Sequence, residues 1–240
     1  MNAQIDVAVL AEVEEIQPAK ALVWDLPVRI FHWALAASVV TAFVTHQLGV
    51  DYFEYHRWSG YTVIVLLVFR LIWGFVGPKH ARFLQFVRGP KATWQYARKL
   101  RNRQAPHSAG HNPLGALMVL VLLGGFLVQA VAGLFADDQI FNTGPLQPLV
   151  SGDVSLGLTT LHRTLFYWLA GAIALHVAAV LAHWLLWKDN LVTAMFSGRK
   201  RHLSPADGIP SSRLGLALAV VVLVGASFAW LLGYVAALTQ

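Results

Sequence analysis

The sequence predicts an all-α membrane protein, a bundle of four transmembrane helices followed by a fifth at the carboxyl terminus. Three observations predict it. Of the 240 residues, 57% are hydrophobic and only 12% are charged, with a mean hydropathy of +0.56, which is membrane composition. Five apolar stretches are each long enough to cross a hydrocarbon core of about 30 Å. The basic residues cluster in the short segments between them.

Taken in order, residues 1–21 carry Glu12, Glu14 and Glu15 with no basic amino-terminal region. They read as a cytoplasmic tail and not as a cleavable signal. Spans are expected at about 30–49, 58–77, 114–136, 162–187 and 214–237. Ser38, Thr41 and Thr45 interrupt the first only mildly, because such hydroxyls bond back to helix carbonyls. The segment Lys79–Arg103 holds eight lysines and arginines and no acidic residue, so it is expected in the cytoplasm; binding of acidic lipid head groups is its alternative use. Asp137–Asp153 holds three aspartates and no base, which places it in the periplasm, and Lys188–Arg213 is basic again. The amino terminus is then inside and the carboxyl terminus outside. Loop 137–161, rich in Gly, Pro, Ser and Thr, is expected to be an irregular docking surface. Residues 22–200 form one helical unit, and 201–240 a basic linker with an additional helix. No internal repeat is evident.

Orientation in the membrane explains the net charge of +6 and the pI of 9.8 better than nucleic acid does. The absence of cysteine excludes disulfides, covalent c-type haem, cysteine-ligated iron–sulfur clusters and cysteine zinc sites.

Histidines carry the chemistry. His162 and His176 stand fourteen residues apart in an apolar stretch. Fourteen residues turn a helix through about 1400°, some 40° short of four turns, so both rings share a face about 21 Å apart. One lies near each membrane face, where each can be an axial ligand of a haem. A second ligand at matching depth comes from another helix: His32 opens the first span at the level of His176, and His56 opens the second at the level of His162. His46, fourteen residues after His32, is an equal rival to His56 on spacing alone. His183 lies near a helix end and is expected at the interface. His111, in GHNPLG, is expected as a helix-start residue, with Asn112 as cap and Pro113 in the first turn, and quinone bonding as its weaker use. His80, His107 and His202 lie in basic loops and are expected to be solvated.

Arg70 lies fourteen residues after His56, on the same face and near the depth of His32 and His176. A buried guanidinium needs an anion, and the second span has no acid, so a haem propionate is expected to answer it. Arg57 and Arg163 each follow a proposed ligand and are further propionate candidates, with interfacial anchoring as the alternative. Gln129 is expected to bond a neighbouring helix. Trp24, Trp33, Trp58, Trp73, Trp168, Trp184 and Trp187 are expected to form mostly an interfacial belt.

The motifs VWDLPVRIFHW, YHRWSGYTVIVLLVFRLIWGFVG, GHNPLG and HRTLFYWLAGAIALH resemble the bacterial cytochrome b561 family and the b-type cytochrome subunit of nickel–iron hydrogenases, over about 22–200. The resemblance implies a four-helix dihaem bundle with two non-covalent b haems, each bis-histidine ligated, by His32, His56, His162 and His176. It thus selects His56 over His46, and it carries an arginine at the place of Arg70. It further implies electron transfer across the bacterial inner membrane between a quinone (ubiquinone or menaquinone) and a periplasmic partner, a c-type cytochrome or hydrogenase-like protein. The fifth span departs from the pattern; Gly215, Gly225 and Ala229 are expected to permit its close packing. Two rivals stand beside this reading. One is oxidation of a small reductant such as superoxide at the periplasmic haem, with Arg57 and Arg163 attracting the anion. The other is a non-redox membrane anchor with structural histidines.

Overall fold

The computed structural model describes residues 21–104, 108–200 and 203–239. The expected tail, apart from its last residue, lies outside the described residues, as do His107 and His202. Among the described residues, five helices are long and apolar enough to cross a membrane.

Helix α1, Leu26–Leu48, starts where Asp25 accepts a hydrogen bond from the Val28 amide at 2.9 Å, with Pro27 in its first turn. This cap satisfies one of the orphan amides of a helix start. Helix α2, Phe53–Val76, follows a short 3₁₀ turn at Val50–Tyr52. The basic segment then contributes a one-turn helix α3, Phe83–Phe86, and an amphipathic helix α4, Pro90–Arg101. Helix α5, Pro113–Leu134, opens on Asn112, whose carbonyl oxygen accepts from the Gly115 amide at 2.7 Å, as the HNP motif predicts. Helix α6, Gly152–Trp187, runs for 36 residues and ends on Lys188 in the left-handed conformation. Helices α7, Leu191–Ser197, and α8, Leu214–Leu238, complete the chain.

Helix α6 begins ten residues before the expected span. Gly152, Ser155, Thr159 and Thr160 look like loop composition, but their polar atoms are used. Ser151 caps the helix. Ser155 donates to the Phe135 carbonyl at 2.8 Å, and Thr159 accepts from the Asp137 amide at 2.9 Å. The extension is therefore pinned to the end of α5. What remains irregular is residues 137–150, where Asp138 accepts from the amides of Ile140, Phe141 and Asn142, each at 2.9 Å, and holds Ile140 and Phe141 outward.

Close backbone packing joins α1 to α2, α5 to α6, and both pairs through α2 and α5, while α8 lies on α2. The α8 contact uses Ala217, Val220, Val224 and Val235, with Phe228 edge-on to Tyr61. A Cβ built at Gly215 or Gly225 meets nothing within 4 Å, so the expected glycine contact is not the one made; the valine stripe on the other face buries more surface.

A two-residue ribbon closes the basic end: β1, Ala21–Leu22, pairs antiparallel with β2, Arg199–Lys200. The Gly198 carbonyl accepts from the Val23 and Trp24 amides at 2.8 and 3.0 Å. Gly198 has φ +77, and a Cβ there would lie 2.7 Å from the Trp24 carbonyl oxygen, so glycine is required. The core beneath contains Val23, Trp24, Phe31, Leu67 and Trp73. Trp24 and Trp73 thus leave the expected interfacial belt: they are 6% and 0% exposed, and the Trp73 indole donates to Asp25 at 3.1 Å. His80 is not solvated either. It is buried, and its Nε2 donates to the Asp207 carbonyl at 2.6 Å, because the loop before α8 folds over it. The outer faces of α6 and α8 expose Tyr167, Trp168, Leu218 and Trp230, as a lipid-facing surface requires.

Candidate functional site

The bundle brings four histidines together in two pairs. At the basic end, the rings of His32 on α1 and His176 on α6 lie with centroids 6.5 Å apart. At the acidic end, those of His56 on α2 and His162 on α6 lie 6.2 Å apart. Helix α6 supplies one member of each pair, on one face, as the fourteen-residue spacing predicts. Between the pairs, Phe43 on α1 stacks on Phe166 of α6 with centroids 5.5 Å apart.

The local structure fixes how two of these rings present themselves. His56 Nδ1 donates to the Ala42 carbonyl of α1 at 2.8 Å, and His162 Nδ1 donates to the Gln129 carbonyl of α5 at 2.8 Å. A carbonyl only accepts, so each proton sits on Nδ1 and each Nε2 keeps its lone pair. This is the outer arrangement that metal-bound imidazoles adopt. The Gln129 side chain donates to the His162 carbonyl at 2.9 Å, bonding its neighbouring helix as expected, at the turn that carries His162.

The spacing tests whether haem fits. With each nitrogen about 2 Å from the metal and roughly 1.2 Å from its own ring centroid, two axial imidazoles sit about 6.4 Å apart. Both observed pairs fall within a few tenths of an ångström of that. Two imidazoles do not complete a metal site alone; a porphyrin would supply the rest. A cavity of about 890 Å³ opens beside His56 and His162, within the range of about 300–1,000 Å³ usual for bound ligands and cofactors. Gly60 and Gly133 line it. A Cβ at Gly60 meets nothing within 4 Å, whereas one at Gly133 would lie 2.9 Å from the His162 ring. The residues present fit the group.

His46 lines the same cavity, its ring 5.8 Å from that of His56, but it is exposed. Arg57 and Arg163 also line the cavity. Arg57 is paired with Glu54, one turn before it, so it has a protein anion of its own.

At the basic end, Arg70 is 2% exposed and its Nη1 has no hydrogen-bond partner; its guanidinium lies 4.9 Å from the centroid of the Phe83 ring. His32 Nδ1 is likewise buried without a partner. Sequence reasoning missed Asp25. Its carboxylate, 1% exposed, interacts electrostatically with Arg70, and burial pushes its pKa above the ordinary carboxylate value. The signal was there in WDLP, an N-cap followed by proline. His111 sits between Trp24 and Phe86, with ring centroids at 4.7 and 4.6 Å. Burial there, with the charge of Arg70 adding to it, pushes its pKa down to about 3, so the ring is neutral. His183 stands at the end of α6, 5.2 Å from Trp187.

Fold and site together define a multi-pass helical membrane protein built around facing imidazoles, the class to which membrane cytochromes belong. The chain belongs to the prokaryotic cytochrome b561 family, whose model matches residues 23–198. It is therefore a membrane b-type cytochrome of electron transfer, a haem b protein. The probable Ni/Fe-hydrogenase 1 B-type cytochrome subunit of Escherichia coli K12 is 25% identical, over 75% of this chain and 90% of that one. The corresponding probable subunit of Azotobacter vinelandii is 26% identical, over 73% and 86%, and that of Bradyrhizobium diazoefficiens is 23% identical, over 75% and 85%. No solved structure matches.

Proposed function

We propose that the protein carries single electrons across a bacterial inner membrane, between a quinone and a periplasmic redox protein, through two b haems. The ligands are His32 with His176 and His56 with His162. The observation that carries this reading is the pair of imidazole–imidazole spacings, 6.5 and 6.2 Å. Bound haem b would supply a one-electron ferric/ferrous couple.

The chain's residues do the rest. His56 and His162 offer Nε2 because carbonyls hold Nδ1. Arg70 offers an unpartnered, buried guanidinium N–H to a propionate at the basic end. Arg163, with Arg57, lines the cavity at the other. The apolar helices exclude water and ions, and α6 keeps the pairs about 21 Å apart along its axis. Ile140 and Phe141, held outward on the acidic loop, offer a surface for a protein partner. The relatives' names, subunits of Ni/Fe-hydrogenase, support a partner of the hydrogenase kind. The basic segment 79–103 supports an orientation with the amino terminus inside. Residues 22–200 then act as the haem unit, with 201–240 as an addition.

The test is the optical spectrum of the purified chain with haem measured per polypeptide. We expect two haems, and loss of about one on replacing His56 or His162 by Ala, with no loss on replacing His46. One haem in the parent, or equal loss with His46→Ala, overturns the dihaem assignment.

A further inference from the structure

The basic segment does more than set orientation. Its helix α4 packs against the first turns of α5, and a groove of about 470 Å³ lies between them. Pro90, Trp94 and Ala97 line one wall, and Pro113, Leu117 and Leu120 the other. The stripe Pro90, Trp94, Ala97, Arg101 follows spacings of four, three and four, which is one helix face. Tyr96, toward the far side of the helix, is buried and anchors α4. Trp94 is 68% exposed and open to an occupant.

The charge around this apolar floor decides what fits it. Arg88 lines the groove just before α4, and Lys91 follows it in the first turn of that helix. Segment Lys79–Arg103 has eight cations and no acid. A neutral ring such as a quinone is recognised by a few placed hydrogen-bond groups. A cationic rim above an apolar floor complements an anionic head group with acyl chains below it.

We propose that the α4–α5 groove binds an anionic phospholipid, with acyl chain along Trp94 and Leu117 and phosphate between Arg88 and Lys91 at the start of α4. The site does not depend on the haem reading. The full chain is placed in phosphatidylcholine nanodiscs doped with acyl-brominated phosphatidylglycerol or acyl-brominated phosphatidylcholine. Quenching of Trp94 is the signal lost in Trp94→Phe. The anionic lipid is expected to quench it about threefold more than the neutral one, and Arg88→Gln/Lys91→Gln to abolish the difference. Equal quenching by both lipids reduces the groove to ordinary lipid contact and overturns the proposal. So does relief of quenching by a short-chain quinone, which would reassign the groove. The haem spectrum of each variant reports that it is folded.

Discussion

Gly60 lines the cavity beside His56, and a Cβ there has nothing within 4 Å. Substitution therefore costs the protein little while taking room from whatever fills the cavity. Gly60→Leu is expected to leave helix content unchanged and to lower the haem content by about one per chain, read by haem extraction and circular dichroism. Retention of the full haem content would show that the cavity holds no haem. Asp25 tests stability instead. It caps α1 and accepts from Trp73; a cap and a buried hydrogen bond each contribute about 1 kcal/mol. Asp25→Ala is expected to lower stability by about 2 kcal/mol, read by thermal melting in detergent, with Asp25→Asn retaining much of it because an amide oxygen also accepts.

At the scale of elements, α6 is an intramembrane rod with an extension that only tertiary contacts explain. Ser155 and Thr159 tie it to Phe135 and Asp137. Ser155→Ala with Thr159→Val is expected to destabilise by about 1–2 kcal/mol and to raise proteolysis in residues 137–150, read by limited digestion. The membrane helices themselves were legible in the sequence, because a bilayer demands about twenty apolar residues and nothing subtler. The histidine pairs were legible for a similar reason: a helix converts a spacing of fourteen into a shared face. Spacing does not separate His46 from His56, since both sit at similar depth; what differs is their surroundings, the Ala42 carbonyl of α1 holding the His56 ring while His46 is exposed. Helix α4 and the start of α6 were hidden because neither is apolar along its length: α4 is held by burial of Tyr96, and the start of α6 by the bonds of Ser155 and Thr159. His80 and Trp73 were misjudged alike, one by its basic surroundings and the other by its place near a helix end, where loops fold over both.

For the molecule as a whole, the question is what α8 contributes. It packs on the outer side of α2 through Ala217, Val220, Val224 and Val235, while the four histidines lie on α1, α2 and α6. Its amino-terminal end is tied by Arg213, which donates to the Val76 carbonyl at 3.0 Å. In a bilayer the surface uncovered by its removal meets lipid tails as apolar as the helix itself, so the loss is one of packing and not of the hydrophobic effect. A chain ending at Arg213 is therefore expected to insert and to keep its full haem complement and spectrum. Its melting temperature should fall by several degrees, as about 1–2 kcal/mol of lost packing produces in a domain of this size. Loss of haem at the His56–His162 end on truncation would show instead that α8 holds α2 in register for the site. The contacts between α2 and α5 would then be too weak to do so alone.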